Sequence, residues 1–512
     1  MSKHSGAGGS LRADALGTFD SVVMAVAGCG PAHTIAGTLP ALIAAVGVAG
    51  PAVLLYCALP VLGIALAFRH LGRLDPNAGA AYAWVGRSLH PFLGFLSGWA
   101  LVVSATVFMA SAARPAGAAT LSLFGPGPAG HGVLATAVGA GWFLLMAGVV
   151  MYGARIGART QTVITGMQVI LLVTFAVAAL SKDGNVADFS PSWFGFSHFD
   201  GQHHFVTGAL IAVFAYWGWD VTGNLGEETR NGRRGSGLGG VIGIVMCCAL
   251  FVVFTVSVNI LVGTDVVRQN PDSFLTVLGD AVRPGWGGRL LVLAVLLSTV
   301  ATLETTLIQA TRTLFAMGRD GTLHPAFGRI PRGRQTPWTA TLVVAGIALA
   351  CTIAADLGPG TGPGTGPGTG PGTGSGPRLL ADAVSGMGLL ICFYYGLAAL
   401  CAVVVHRRQL FSSVRNLLLI GLWPLCGALF MAWIFVRSVT ELNALALGIG
   451  LGSLGLGVVP MLISRRRAPS YHRPVPLDPE RARSVDASYG AADLDPASRG
   501  GSGRTGELLT DF

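Results

Sequence analysis

The chain has 512 residues, 52 % of them hydrophobic and only 11 % charged, a balance that excludes an ordinary water-soluble enzyme or nucleic-acid-binding domain. The formal net charge of +9 comes from Lys and Arg that stand almost entirely between apolar runs, which points to membrane topology rather than to a nucleic acid partner. The eight Cys lie in or at the edge of apolar runs without CxxC or metal-ligand spacing, so they read as packing residues and no metal or other cofactor is expected.

Residues 1–14 are polar and Gly/Ser-rich, show no cleavable signal, and are expected as a cytoplasmic tail. Apolar runs of roughly 18–25 residues, enough for a helix to cross a hydrocarbon core of about 30 Å, then recur along the chain. Twelve such segments are expected, at 18–40, 49–68, 91–113, 133–152, 163–180 and 206–225, then at 239–262, 290–315, 338–355, 380–405, 417–436 and 442–463. The fold class is therefore an all-α integral membrane protein. Its divisions are a transporter core at 15–405, built of repeats at 15–180 and 206–405, and two further membrane helices within 413–465. Loops that alternate along the chain differ in charge: Arg69, Arg73, Arg155, Arg230, Arg312, Arg319, Arg407 and the Arg465–Arg467 run fall on one side, while the other holds little beyond Lys182, Arg268, Arg283, Arg289, Arg378 and Arg437. Both termini are thus expected in the cytoplasm, with the protein in the plasma or inner membrane. The Pro-Gly-Thr-Gly repeat at 358–377 has nothing to bury and reads as a flexible external loop, and 466–512 as a disordered cytoplasmic tail.

Two segments are interrupted. The first carries Ala27-Gly28-Cys29-Gly30-Pro31-Ala32-His33 at mid-membrane depth, and the sixth carries Phe214-Ala215-Tyr216-Trp217-Gly218-Trp219-Asp220, followed by Thr222-Gly223-Asn224. Gly and Pro also make kinks and close helix contacts. Inside a bilayer, however, unpaired backbone persists only where it lines a cavity or meets a partner, and paired breaks in two halves of a chain point to a transporter's binding site. The two fall five segments apart, as a five-plus-five inverted repeat requires. Half-helix ends would offer amides to a carboxylate and carbonyls to an ammonium or a cation.

Phe214 to Arg234, reading FAYWGWDVTGNLGEETRNGRR, resembles the sixth-helix signature of the amino acid, polyamine and organocation permease superfamily. The stretches Pro76–Tyr82, Gly94–Trp99 and Arg312–Pro337 extend the resemblance, which covers about residues 15–465. It implies a five-plus-five inverted repeat with two additional C-terminal helices. It also implies that the backbone of Gly28, Cys29 and Gly30, with Pro31 beside it, holds the substrate carboxylate, that Phe214, Tyr216, Trp217 and Gly218 contact and gate the substrate, and that Asp220 takes part in proton coupling. The sequence departs from the pattern at three places. Gln168 stands where some proton-coupled relatives carry a Lys, Cys29 and Pro31 replace more usual residues, and Arg230-Asn231-Gly232 lacks the usual Pro.

Ionisable residues at membrane depth cost at least about 2.5 kcal/mol unless paired or wetted, so each is a candidate. Asp220 reads as a proton site or as a helix-end carboxylate facing cytoplasmic water near Arg230, and Glu304 lies mid-run among Ser298, Thr299, Thr302, Thr305 and Thr306, as a proton acceptor, part of an oxygen-rich cation site, or a structural partner for another helix. Arg114 reads as a carboxylate-steering or a snorkelling residue, and His33 as a substrate contact or a packing residue. Glu227 and Glu228 read as an inner gate of ion pairs or as a solvated pair. Gly235–Gly240 satisfies GxGxxG without a preceding strand, and no Walker, metal or Ser/His/Asp arrangement supports an ATP-driven pump or an enzyme. The expected function is a permease that moves amino acids or related amines by alternating access with proton symport, as a monomer or an oligomer. Sodium symport, exchange, and a transport-silent nutrient receptor are the alternatives.

Overall fold

The computed structural model describes residues 10–480 apart from 126–131, 183–185, 200, 272, 332–334 and 358–374. Inside a bilayer each backbone N–H and C=O must find its partner within the chain, and the helix does this locally. The described residues accordingly form helices, with one isolated β-bridge between Leu16 and Thr229. In chain order the helices are α1 (Thr18–Cys29), α2 (Pro31–Val46), α3 (Gly50–Leu74), α4 (Ala81–Ser88), α5 (Pro91–Ser122), α6 (Gly132–Tyr152) and α7 (Ala154–Leu180). The second half holds α8 (Gln202–Ala215), α9 (Val221–Asn224), α10 (Gly232–Leu261), α11 (Gly263–Gln269), α12 (Phe274–Val282), α13 (Gly287–Arg319), α14 (Trp338–Leu357) and α15 (Ser375–Val405). After it come α16 (Val414–Asn416), a π-helical turn at Leu417–Leu422, α17 (Trp423–Glu441), α18 (Ala444–Leu456) and α19 (Val458–Arg467).

Ten stretches among the described residues are long and apolar enough to span a membrane. The first, Thr18–Leu74, has 57 residues. At 1.5 Å per residue it exceeds twice a hydrocarbon core of about 30 Å, so it contains two crossings, α1 with α2 and then α3. The apolar helix His204–Ala215 is shorter than these because the chain unwinds after it, and α9 follows the unwound stretch.

Helix α13 lies at the centre: 78 % of its apolar window is buried, against 22 % for the Ala444–Arg467 stretch. It packs on α5, α7, α1 and α2. Helix α10 runs alongside α1 and α3, where Gly239 and Gly243 let it approach Ser21 and Ala25 without room for a Cβ. Gly448 and Gly452, at the same spacing on α18, face open space and make no such contact.

Several elements differ from the sequence reading. Helices α3, α5, α7 and α13 run beyond their apolar limits. Segment twelve divides at Gly457, where Pro460 cannot donate to Leu456 and the ladder is interrupted. Residues 358–374 of the Pro-Gly-Thr-Gly loop lie outside the described residues, and Ser375–Pro377 open α15. The tail read as disordered from 466 is packed at its start. Tyr471 stacks on Tyr82 at 5.2 Å between ring centroids, and its hydroxyl donates to the Pro91 carbonyl; residues 481–512 lie outside the described residues. Arg312, counted above among the topology-setting loop charges, is wholly buried within α13.

Candidate functional site

The first break has a local cause. Gly30 takes φ +53°, which an L side chain rarely adopts, and its amide turns back onto the carbonyls of Val26 and Ala27, ending α1. Pro31 then starts α2 with φ preset and no N–H to satisfy. Within α2 the first carbonyl-paired amide is that of Thr34, which donates to Gly30 at 2.8 Å. The amides at Ala32 and His33 therefore lack carbonyls of their own helix, while carbonyls of the last turn of α1 are taken up by side chains at the same break. Thr302 on α13 donates its hydroxyl to the Ala27 carbonyl at 3.0 Å, and Thr34 donates to the Cys29 carbonyl at 2.7 Å.

The second break follows from Gly218, at φ +100°, with α8 ending at Ala215 and helix resuming at Val221. The two breaks meet. A Cβ on Gly28 would fall on the Gly218 carbonyl, and one on Gly218 would fall on the Gly28 carbonyl, so the unwound backbones lie in direct contact. A Cβ on Gly30 would strike the Thr302 hydroxyl, with the Ser298 hydroxyl 3.4 Å away. Gly28, Cys29, Gly30, Pro31, Tyr216, Trp217 and Gly218 are all buried around this junction, and Phe214 is half-buried against Gly388.

The aromatic residues divide by direction. Tyr216 donates to the Leu54 carbonyl at 2.9 Å and packs edge-on against Phe251, tying the break to α3 and α10. Trp217 packs against Phe108, which in turn meets His33. Its indole N–H donates to the Tyr394 hydroxyl at 2.7 Å, and that hydroxyl donates to Asp220 Oδ2 at 3.1 Å. Asp220 is fully buried and also accepts from Tyr395 at 2.8 Å and from Gln309 at 2.6 Å. A hydrogen-bonded chain thus runs from the unwound segment through Tyr394 to a carboxylate held by α13 and α15.

Glu304 lies elsewhere on α13 and is also fully buried. Gln161 of α7 donates to its Oε2 at 3.0 Å, while Oε1 has no hydrogen-bond partner among the described residues and faces Gly157. Gln168, two turns along α7, is buried with both amide atoms unpaired among the described residues, as is the Ser298 hydroxyl. His33 joins the Thr299 hydroxyl at 3.0 Å. Arg114 stands on α5 where that helix packs against α6 through Gly139.

The arginine-rich end is closed by ion pairs that bridge the loop after α9 to α13. Glu228 and Arg312 form a two-pronged pair at 3.0 and 3.2 Å with both side chains fully buried. Glu227 accepts both Arg319 terminal nitrogens at 2.9 Å and the Ala78 amide at 2.8 Å. Asn224 completes the seam by donating to Ala78 and Thr313. Beside it, Asp75 pairs with Arg87 at 2.8 Å, yet burial outweighs that guanidinium and pushes its carboxyl above the ordinary value.

A cavity of about 680 Å³ lies away from the breaks, between Phe196, Phe199 and Phe205 and the Trp433 and Arg437 side chains of α17. Sequence reasoning did not identify Gln161, Gln309, Tyr394 or Tyr395. Their only local signal is polar atoms in otherwise apolar runs, above all the Tyr394-Tyr395 pair in segment ten.

Comparison with known proteins gives a match to the amino acid permease family over residues 16–448. The chain is 24 % identical over 434 residues to the low-affinity putrescine importer PlaP of Escherichia coli, covering 81 % of this chain and 85 % of that protein. It is 26 % identical over 308 residues to the vacuolar cationic amino acid transporter 4 of Arabidopsis thaliana, covering 57 % of this chain and 50 % of the relative. With the Bacillus subtilis methylthioribose transporter it shares 26 % identity over 306 residues, 56 % of this chain and 63 % of that one. The match therefore spans about half the length of the plant relative.

Proposed function

Because the chain belongs to the amino acid permease family and is a multi-pass membrane transporter rather than an enzyme, we propose that it carries an amino acid or related amine across the cell membrane by alternating access, with proton symport. The observation that carries this reading is the meeting of the two breaks at Gly28 and Gly218. Substrate carboxylate would sit on the exposed amides at the start of α2, with its ammonium toward carbonyls of the unwound backbone and its body against Phe214 and Trp217. The two interrupted segments would be equivalent members of inverted repeats at 15–180 and 206–405, and the termini would lie in the cytoplasm with the arginine-rich loops.

Asp220 supports proton coupling because its oxygens accept from Tyr394, Tyr395 and Gln309, and Tyr394 also accepts from Trp217. Protonating Asp220 would take an acceptor from that chain and loosen Tyr394, the residue that holds the Trp217 indole. Glu304 is the second proton candidate, since one of its oxygens is unpaired among the described residues. A sodium-coupled reading draws on the Ser298 hydroxyl near Gly30, unpaired among the described residues, and on Thr302 at the Ala27 carbonyl.

The test is uptake into proteoliposomes of radiolabelled amino acids and polyamines under imposed proton or sodium gradients. Proton-driven accumulation that disappears in Asp220→Asn or Glu304→Gln, with exchange retained, supports symport and chooses between the carboxylates. Sodium-driven accumulation moves the site to Ser298 and Thr302, exchange without accumulation marks an exchanger, and binding without any flux replaces the permease with a receptor.

A further inference from the structure

Charge collects at the arginine-rich end in a place the transport reading does not use. Arg69, His70 and Arg73 stand on the last turns of α3, and Arg415 on α16 lies within electrostatic range of Arg69 and His70. His70 meets the His406 ring edge-on at 5.8 Å. Arg233 joins them from α10 by donating to the Arg73 carbonyl at 2.9 Å. The nearest acid in sequence, Asp75, is engaged by Arg87, and among the described residues Arg69, Arg73 and Arg415 have no acidic partner. Like charges held together without a counterion repel, and the half-buried positions of Arg69 and Arg73 weaken solvent screening. Beside the cluster the linker between α15 and α17 turns apolar side chains outward, Phe411 being 83 % and Val414 73 % exposed.

We propose that this cluster binds the phosphate of an anionic phospholipid, with its acyl chains along Phe411 and Val414, so that the lipid ties α3 to the linker carrying the two C-terminal membrane helices. A basic pocket between membrane helices has the chemistry of an anionic headgroup site, and each basic residue there contributes about fivefold in affinity, ~1 kcal/mol. The adjoining exposed apolar side chains favour a lipid over a soluble anion, which would have no use for them.

Native mass spectrometry of the full-length protein in neutral detergent tests this with phosphatidylglycerol and phosphatidylcholine of identical chains. Preferential retention of phosphatidylglycerol is expected, falling roughly thirtyfold in Arg69→Gln/Arg415→Gln and little in Arg283→Gln/Arg289→Gln, which removes the same charge from the opposite end. Should the double variant fail to fold, Arg415→Gln alone, on an exposed turn, is expected to lose about fivefold. Phe411→Ser/Val414→Ser should weaken retention with the charge unchanged. Equal retention of both lipids, or phosphatidylglycerol retention unaltered in the arginine variants, overturns the proposal. So does displacement of the lipid by millimolar inorganic phosphate, which would reassign the cluster to a soluble anion.

Discussion

Gly28 and Gly218 illustrate how much can rest on a missing side chain. Each faces the other's carbonyl across the junction of the two breaks, so an added methyl meets backbone that no rotamer change can move aside. Gly28→Ala is expected to cut uptake at least tenfold, since overpacking of this kind typically costs about 1–3 kcal/mol and here separates the unwound segments directly. Gly452→Ala, on α18 with open space around it, should instead raise the thermal midpoint, because Ala in a helix interior is favoured by roughly 0.8–1 kcal/mol. A Gly28→Ala protein with wild-type uptake would contradict the contact. Asp320 gives a second residue-scale expectation. Burial chiefly, with Asp75 and Glu227 adding to it against Arg319 and the Tyr82 hydroxyl, holds its carboxyl above the usual 3.8. A carboxyl whose folded value is raised contributes stability that is complete below the unfolded value and lost as pH climbs through the folded one. Asp320→Asn, which keeps an acceptor for Tyr82, should therefore be more stable than wild type at neutral pH, with the advantage vanishing below pH 3.8; thermal melts across that range measure it.

Between elements, the Glu228–Arg312 pair is the seam that joins the loop after α9 to the central helix. With both side chains fully buried, removing one partner leaves the other charge uncompensated. Arg312→Met should cost about 3–5 kcal/mol, whereas Glu228→Leu/Arg312→Met should recover most of that stability because neither charge then remains to be desolvated. If the pair is also a gate, the double variant will fold yet leak, and counterflow assays would show efflux without substrate on the far side; a double variant no more stable than Arg312→Met alone would contradict the account. The contrast shows which parts of the site were legible in the sequence. The breaks were, because Gly30, Pro31 and Gly218 act through their own backbone and need no distant partner. The environment of Asp220 was not: Gln309, Tyr394 and Tyr395 reach it across 89, 174 and 175 residues, and no local period encodes that convergence. Arg312 was misread for the same reason. Its charge suggests a solvated loop until the helix that carries it is seen to continue into the protein and to meet Glu228.

For the molecule as a whole, composition and hydropathy were enough to place the long apolar helices, since the bilayer demands long apolar runs with their backbone bonds closed internally. They were not enough to place residues 468–480, whose polar, Pro-containing sequence has the composition of a disordered segment. What holds this stretch is a small number of specific contacts: Tyr471 stacked on Tyr82, its hydroxyl on the Pro91 carbonyl, His472 on Ser464, and Arg87 donating to the Val475 carbonyl. These contacts bear on the same end that the ion pairs close, because Tyr82 also donates to Asp320, next to the Arg319 that holds Glu227. Tyr471→Ala removes an aromatic pair worth about 0.5–1.5 kcal/mol beyond its buried area, so the thermal midpoint should fall by a few degrees. Tyr471→Phe keeps the ring and loses only the hydrogen bond, and should fall by less. Ending the chain after Arg467 removes the remaining contacts as well and should destabilise at least as much as Tyr471→Ala, since they act on α4, the start of α5 and α19. A truncated chain with wild-type melting would mean that these contacts form without stabilising the arginine-rich end.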